Sequence, residues 1–501
     1  MEINFKSLKS YIDILRDHNL LVDTNCNLNE SINYISYNSN DIKENTLFVC
    51  KGNNFKKEYL INSISKGITT YISEEKYEDS NLENINYIIV NDVRKALALI
   101  ANIYYDFPWK NLKMIGITGT KGKTTTTYFV NAILNEYLKN TENKSAFLSS
   151  LEMCNGVSRV PSKLTTPESL ELQKTIYESV NNNSKYLTME VSSQAIKLNR
   201  IDNILYDIGV FLNISEDHIS PLEHKTFEEY LNYKLELFKI SKNVVINKDS
   251  DYLDVILNAT TSKNNVITYS MTDKSADIYI NKIEKINNVW NFEVVTPSYK
   301  KEFKLSVPGK FNVSNALAAI SISYILDIPT SYIESALKTV KVNGRMELYS
   351  NKDNTIHAIV DYAHNKLSFE NIFNSIITEY PNSNIISLFG STGNKAYVRR
   401  KDLGTIAGKH SKICILTADD PAYEKVEDIC KDIATYIEEQ NGNYIIIPDR
   451  SEAVKKAVEL ANPGDVILLA GKGNETTQKV NGKIEEYESD SVLVQKYLKN
   501  K

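Results

Sequence analysis

The stretch GITGTKGKTTTT at residues 116–127 carries the residue types that grip a phosphate. Such a grip needs backbone N–H groups converging on the anion, which favours glycine where the chain takes unusual dihedrals. It needs a helix that begins at the loop, so that its dipole faces the charge. A lysine must reach the terminal phosphates, and a hydroxyl must ligate magnesium. Gly119, Gly122, Lys123 and Thr124 supply these parts, with Thr118, Thr120 and Lys121 completing the turn. The spacing is odd, however. In the G-x-x-x-x-G-K-[ST] pattern the early glycine would fall on Ile117, and Gly116 lies off that register. The bland alternative is a glycine turn with Lys123 merely exposed, and a Gly-Lys-Thr triplet directly after a buried strand argues against it. ATP binding is expected here, but ATP alone does not name a reaction.

Other residues could do chemistry, and each has a plain reading beside it. Glu190 ends the apolar stretch KYLTMEV, where a carboxylate suits Mg²⁺ or simply faces water. His218 stands alone, and imidazole is a poor magnesium ligand. Lys234 lies in TFEEYLNYKLELF, either snorkelling from a half-buried helix or buried as a reactive amine. Arg345, Asp361 and His364 follow or precede apolar runs, where such residues usually serve surfaces.

These residues need a frame. LKMIGIT reads as a buried strand entering the loop, and YFVNAILNEYL has helical apolar spacing. Strand, glycine loop and helix is the context a phosphate loop requires. KYLTMEV, YDIGVFLN and NVVIN read as further strands with helices between them, which predicts an α/β fold with mostly parallel strands. Residues 265–305 read as a β-rich insertion, and FNVSNALAAISISYIL as a helix. HAIVDYA, NIISLFG, KICILTA, NYIIIP and DVILLAG then predict a second, Rossmann-like α/β unit. The divisions fall at residues 1–108, 109–342 and 343–501.

Composition bounds the rest. A chain of 501 residues is long for one domain, and 42% hydrophobic with 24% charged residues is ordinary for a folded protein. A net charge of -5 gives no reason to expect nucleic acid as partner. The charged N-terminus lacks the apolar core of a signal peptide, and no apolar run has the length of a membrane span. Five scattered cysteines form no CxxC pair, which speaks against a disulfide framework or a zinc site. A cytoplasmic monomer is expected.

The loop form G-T-x-G-K-T-T resembles that of the Mur ligase family, and further motifs follow in the family's order. They include LTTPESLELQ (164–173), MEVSSQAIKLNR (189–200), NISEDHISPLEHKTFEEYLNYKLELF (213–238), PGKFNVSNALAA (308–319), NGRMEL (343–348), VDYAHNKLS (360–368), FGSTGNKAYVRRKDLG (389–404), TADDPAYE (417–424) and AGKGNET (470–476). With YNSNDIKENTLFVCKG near the N-terminus, the resemblance spans nearly the whole chain. It implies three domains: a UDP-sugar-binding domain, a central ATP-binding domain, and a Rossmann-like domain that closes over the incoming amino acid. It implies an ATP-dependent amide ligase that activates a carboxylate as an acyl phosphate, most like the members that extend UDP-N-acetylmuramoyl-L-alanyl-D-glutamate by a third residue.

By this resemblance Lys123, Glu190, His218 and Lys234 are catalytic. Thr124, Glu190 and His218 ligate Mg²⁺, joined by Lys234 as a CO₂-derived carbamate (N6-carboxylysine). Asn315 lies near the ATP base, and Arg345, Asp361 and His364 contact ATP. Ser39 contacts the UDP moiety, while Thr165, Thr166, Ser192 and Arg200 hold the muramoyl peptide. The family's Asp-Ser-Arg is Asn38-Ser39-Asn40 here, so one charged anchor is missing. Val-Ser-Ser-His has become Val191-Ser192-Ser193-Gln194, which removes any acid–base role at Gln194.

The added amino acid is read from one tetrad. Members that use meso-diaminopimelate carry Asp-Asn-Pro-Arg, whose arginine clamps the distal carboxylate. Here the residues are Asp419, Asp420, Pro421 and Ala422, with Lys395 in place of a second arginine and Glu475 nearby. An acidic, arginine-free pocket suits a side chain ending in an ammonium, and L-lysine is the amino acid expected. L-Ornithine, meso-diaminopimelate, a folylpolyglutamate-type reaction and a paralogue without ligase activity remain the alternatives.

Overall fold

In the computed structural model, described here for residues 6–501 apart from 27–29, 53, 54, 83, 84, 217, 218, 221, 222, 287, 288, 395 and 396, the chain is α/β throughout. It divides into two compact units. One comprises Met1–Asn281, Val294–Lys301 and Leu317–Ala336; the other comprises Lys282–Glu293, Glu302–Ala316 and Leu337–Lys501.

Within the first unit, a small sheet has the order Leu21–Thr24, Asn86–Val90, Thr70–Ser73, Thr46–Val49, Tyr34–Ser36. All but Leu21–Thr24 run parallel. The helix Val93–Tyr104 covers it, buried along most of its length and capped by Asp92, whose side chain accepts from the N–H groups of Arg94 and Lys95. Its sequence, VRKALALIANIY, is apolar nearly all round, as a core helix must be.

The larger sheet of this unit places Lys113–Thr118 between Ser184–Glu190 and Tyr206–Phe211, all parallel. Lys144–Leu148 continues it on one side, and Ser241–Asn247 with Asn265–Ser270 on the other. These strands are covered on both faces, and their near-continuous apolar runs reflect that. Gly116 finds its purpose in this packing: a Cβ there would stand 2.9 Å from the Tyr206 ring and 3.2 Å from Leu237. It admits a buried tyrosine and takes no part in the loop.

The second unit has its own sheet, ordered Glu347–Ser350, His357–Asp361, Val466–Ala470, Ile385–Phe389, Ile413–Leu416, Tyr444–Ile446. Only Glu347–Ser350 runs antiparallel. Ile386, Leu388, Ile415, Ile467 and Leu469 pack its core against the helices Arg450–Leu460 and Asp490–Leu498. In an open parallel sheet the loops at the carboxyl ends of the strands form the binding crevice. Here those loops carry Asp361, Gly393, Asp419, Asp420 and Glu475. Among the described residues no helix is long and apolar enough to cross a membrane.

Candidate active site

In the first unit the glycine loop leaves the strand Lys113–Thr118 and ends in the helix Lys123–Leu138. Gly122 caps that helix with φ 86°, a left-handed conformation that glycine adopts without penalty. A Cβ on Gly119 would meet the Leu212 Cβ at 3.0 Å and the Asn213 nitrogen at 3.3 Å, so the neighbouring strand end leaves no space for a side chain.

Asn213 holds the loop from that side. Its backbone oxygen accepts from Thr120 N–H (3.0 Å), its Oδ1 accepts from Lys121 N–H (2.9 Å), and its Nδ2 donates to the Lys121 carbonyl (3.0 Å). Thr120 Oγ1 lies 3.1 Å from the Tyr230 hydroxyl. Lys123 Nζ donates to the carbonyls of Gly119 (2.8 Å) and Thr120 (3.2 Å).

Lys234 reaches the same carbonyl. It lies in the helix Phe227–Lys239, which Thr226 caps and which buries Tyr230, Lys234 and Phe238 on one face at i, i+4 spacing. At 2% exposure its side chain does not snorkel to water. Nζ sits 4.5 Å from the centre of the Tyr230 ring and donates to the Gly119 oxygen at 2.9 Å. Two lysine heads therefore share one backbone acceptor.

Glu190 ends its strand fully buried, and its carboxylate accepts from Ser150 N–H (2.7 Å) and Ser150 Oγ (2.9 Å). Ser150 Oγ also lies 3.4 Å from Thr165 Oγ1, whose hydroxyl can donate to it. Thr166 Oγ1 donates to the Glu190 carbonyl (2.9 Å) and lies 3.3 Å from Ser192 Oγ. Arg200 Nη1 donates to the Thr166 carbonyl (3.2 Å), while Nη2 pairs with Glu168 at 2.9 Å. Glu168 also pairs with Lys51 at 2.7 Å, and with Arg94 at 3.8 Å. Burial pushes the Glu168 carboxyl up, but Lys51, Arg200 and Arg94 together outweigh it and hold the group below its ordinary value. Ser39 stands apart from this network, its carbonyl accepting from Lys66 Nζ at 2.5 Å. The same ammonium lies 3.3 Å from Asn40 Oδ1, where the sequence lacked a charged anchor.

The second unit gathers another group. Asp361 accepts from Met346 N–H (2.8 Å) and Ala363 N–H (2.7 Å), fixing the turn that carries Arg345. The Arg345 guanidinium lies 5.0 Å from the centre of the Tyr362 ring, and His364 Nδ1 lies 2.7 Å from the Tyr362 carbonyl. Asn315 Nδ2 donates to Asn312 Oδ1 (2.9 Å).

Asp420 accepts from Lys472 Nζ (2.9 Å) and Lys479 N–H (3.1 Å), and Lys472 also pairs with Glu475 at 2.5 Å. Burial pushes the Asp419 carboxyl up, against the pull of Lys472 and Arg450. Ala422 takes a left-handed φ of 53° and donates its N–H to the Lys479 carbonyl (2.9 Å). The Pro421 carbonyl abuts Gly393, whose N–H donates to the Asp420 carbonyl (2.9 Å). His218 and Lys395 lie outside the described residues.

The sequence reading missed several of these partners. Glu168 and Asn213 stand in the quoted motifs LTTPESLELQ and NISEDHISPLEHKTFEEYLNYKLELF but carry no role there, and Ser150 has no local pattern to mark it. The tetrad, read as acidic and arginine-free, follows a carbonyl bound by the buried Arg450 of the Arg450–Asp490 pair, and its Asp420 pairs with the Lys472 ammonium. Lys472 stood in AGKGNET, within reach of notice, but its charge was not weighed against Asp420 and Glu475.

A family described as "Mur ligase middle domain" matches residues 117–323, and one described as "Mur ligase, glutamate ligase domain" matches residues 344–473. A protein of Enterococcus faecalis named UDP-N-acetylmuramoyl-L-alanyl-D-glutamate–L-lysine ligase is 38% identical, covering 93% of this chain and 92% of its own. A Streptococcus sanguinis protein of the same name is 39% identical with the same coverage. Among solved structures, a UDP-N-acetylmuramoyl-L-alanyl-D-glutamate–2,6-diaminopimelate ligase shares the fold with a TM-score of 0.67 at 23% identity, covering 99% of both chains. A MurF ligase from Thermotoga maritima in complex with ADP has a TM-score of 0.58 at 17% identity, covering 93% of this chain and 97% of that one.

Proposed function

This chain belongs to the Mur ligase family, and on that premise we propose that it joins L-lysine to the D-glutamyl carboxylate of UDP-N-acetylmuramoyl-L-alanyl-D-glutamate, converting ATP to ADP and phosphate. The observation that carries this reading is near-full-length similarity to relatives named for that reaction. The site residues support it with a phosphate loop, a cationic cluster and a buried carboxylate at adjoining strand ends.

In the proposed reaction a carboxylate oxygen attacks the γ-phosphorus and ADP leaves, giving an acyl phosphate. The amino group of L-lysine attacks the acyl carbon, phosphate leaves, and the amine gives up a proton. Two anions must first approach each other, so cations are required, and Lys123 is the protein's own. Gly119, Gly122 and the start of the helix Lys123–Leu138 supply the cradle, and Thr118, Thr120 and Lys121 shape it. Asn315, Arg345, Asp361 and His364 are assigned to ATP; Ser39, Thr165, Thr166, Ser192 and Arg200 to the muramoyl peptide. Lys395, Asp419, Asp420, Pro421, Ala422 and Glu475 are assigned to the amino acid. The division into domains at 1–108, 109–342 and 343–501 belongs to the same proposal, as does a cytoplasmic, monomeric enzyme.

Thr124 and Glu190 offer the hard oxygens that Mg²⁺ prefers, with His218 as a further candidate. Among the described residues no three His, Cys, Asp or Glu side chains form a metal-binding group, so phosphate oxygens and water would complete the shell. Bound there, the ion would neutralise phosphate charge. Lys234 suits carbamate formation, in which its neutral amine takes up CO₂ and loses a proton. A carbamate would exchange a like-charge neighbour of Lys123 for an opposite-charge one. Lys234→Ala is expected to lose activity and to regain part of it with short carboxylates; no regain sinks the carbamate assignment.

The deciding experiment measures phosphate release with UDP-N-acetylmuramoyl-L-alanyl-D-glutamate while L-lysine, meso-diaminopimelate or L-ornithine is offered in turn. Release only with the muramoyl dipeptide and L-lysine together is expected. Release that ignores both co-substrates refutes the ligase reading, and preference for diaminopimelate refutes the choice of amino acid.

A further inference from the structure

Tyr230 stands between the glycine loop and Lys234. It lies about one turn before Lys234 in the helix Phe227–Lys239, so both side chains leave the same face, and its ring is buried. Lys234 Nζ sits 4.5 Å from the centre of that ring, a distance at which an ammonium is drawn to an aromatic face. The ring is backed in turn by His224, 5.3 Å away between centroids. His224 is fully buried, with Nε2 2.9 Å from Ser193 Oγ. The other end of Tyr230 serves the loop. Thr120 Oγ1 donates to the Ser215 carbonyl (3.3 Å) and accepts from Ser215 N–H (3.1 Å). A hydroxyl has a single proton to give, so the Tyr230 hydroxyl, 3.1 Å away, is the donor to Thr120.

We propose that Tyr230 is a positioning residue with two separable tasks: its ring face fixes the Lys234 head beside the Gly119 carbonyl, and its hydroxyl fixes Thr120 in the loop. This rests on the amide-ligase reading above, which gives both Lys234 and the loop a part in turnover. A lysine head on a flexible four-carbon stem does not keep one place by its own stiffness. Lys234 has the Gly119 oxygen to bond and the Tyr230 ring to lie against. Without the ring the stem can pivot about its bond to Gly119, and a displacement of about 1 Å at such a group costs on the order of 100-fold in turnover. Losing the hydroxyl is milder, because Thr120 keeps both contacts with Ser215. One neutral hydrogen bond is worth roughly two- to tenfold.

The test compares Tyr230→Phe, which keeps the ring and removes the hydroxyl, with Tyr230→Leu, which removes both. Phosphate release with muramoyl dipeptide and L-lysine saturating gives kcat and KM for ATP, and calorimetry without the co-substrates gives ATP affinity. Tyr230→Phe should raise KM for ATP and weaken ATP binding by roughly two- to tenfold, with kcat within about threefold of wild type. Tyr230→Leu should lower kcat on the order of 100-fold. In carbon-13 bicarbonate, a carbamate signal that Lys234→Ala abolishes should persist in wild type and Tyr230→Phe and shrink in Tyr230→Leu. If Tyr230→Leu fails to fold, Tyr230→Met, which also lacks an aromatic face, is judged by the same kcat. Equal kcat in the two variants overturns the role of the ring, and so does a Tyr230→Leu enzyme that melts lower yet turns over at the wild-type rate. Unchanged ATP affinity in Tyr230→Phe overturns the role of the hydroxyl. A wild type without the carbon-13 signal refutes the carbamate alone, and kcat then decides. A wild type that releases no phosphate defeats the ligase reading itself, and ATP affinity and the carbon-13 signal still judge Tyr230, so the two failures are distinguishable.

Discussion

Replacing Asp490 with Asn should destabilise the second unit and loosen the loops that carry Asp419 and Gly471 together, and with them the proposed amino-acid site. Arg450 is 2% exposed and Asp490 fully buried. The guanidinium donates Nε to Asp490 Oδ1 (2.8 Å), Nη2 to Oδ2 (2.6 Å), Nη1 to the Ala418 carbonyl (2.9 Å) and Nη2 to the Ala470 carbonyl (2.9 Å). Those carbonyls immediately precede Asp419 and Gly471. Asparagine keeps the shape but offers one acceptor oxygen, turns an N–H₂ toward a guanidinium N–H, and leaves the cation uncompensated. Breaking a buried pair from one side costs about 3–5 kcal/mol. At roughly 2–4 °C per kcal/mol for a folding unit of 150–250 residues, the melting temperature should fall by roughly 6–20 °C. Calorimetry measures that fall, and phosphate release measures a rise in KM for L-lysine. The double variant Arg450→Met/Asp490→Leu separates the two effects. Removing both charges should restore much of the stability, yet the Ala418 and Ala470 carbonyls lose their donors, so the raised KM should persist. An Asp490→Asn variant within about 1 kcal/mol of wild type would refute the reasoning, because the pair would then contribute no more than an exposed one.

Three further outcomes are expected. Gly393→Ala puts a Cβ 1.9 Å from the Pro421 carbonyl oxygen; displacing the tetrad should lower kcat/KM for L-lysine roughly 100-fold, measured by phosphate release. Lys123→Met should lower kcat by roughly 100- to 1,000-fold, the scale of losing one preorganised cationic or oxyanion contact, with a melting temperature close to wild type. Glu168→Gln should cost about 1.5–3 kcal/mol near neutral pH. Glu168 ionises below its ordinary value of 4.5 because Lys51, Arg200 and Arg94 outweigh its burial. Its stabilisation is therefore full above that value and lost as pH falls through the lowered one. Urea midpoints between pH 3 and 7 should show wild type and variant converging only on the acid side.

Much of the frame was legible because buried parallel strands are written as unbroken apolar runs. LKMIGIT, KYLTMEV and YDIGVFLN became adjacent strands, and YFVNAILNEYL became a helix. The strand, glycine turn and helix around Gly-Lys-Thr were legible because an apolar run feeds directly into helical spacing there. What escaped was pairing across long sequence separations. Asn213 clamps Lys121, Ser150 holds Glu190, and Asp490 neutralises Arg450. Asn213 opens a quoted motif, but neither it nor Ser150 or Asp490 shows its partner locally, and each pairing is fixed only when the fold brings distant segments together. The tetrad shows the cost of reading charge from one stretch: two aspartates looked like an open acidic pocket until Lys472 entered the count.

The short loop follows from the same edge. Gly116 cannot carry a side chain because Tyr206 packs against it from the next strand, so the off-register glycine serves the sheet. The turn that follows is held by Asn213 through three hydrogen bonds, which do from outside what a longer loop would do with its own backbone. That leaves the Gly119 carbonyl turned toward the ammonium groups of Lys123 and Lys234. A carbonyl can bind two cations only while no stronger anion competes. Phosphate oxygens arriving at the loop would compete for Lys123, since a charge-assisted bond to an anion outweighs one to an amide. A carbamate on Lys234 would give up its bond to Gly119 for the same electrostatic reason. On the proposed reading, the shared Gly119 carbonyl would tie the charge state of Lys234 to nucleotide binding at Lys123, 111 residues earlier in the sequence.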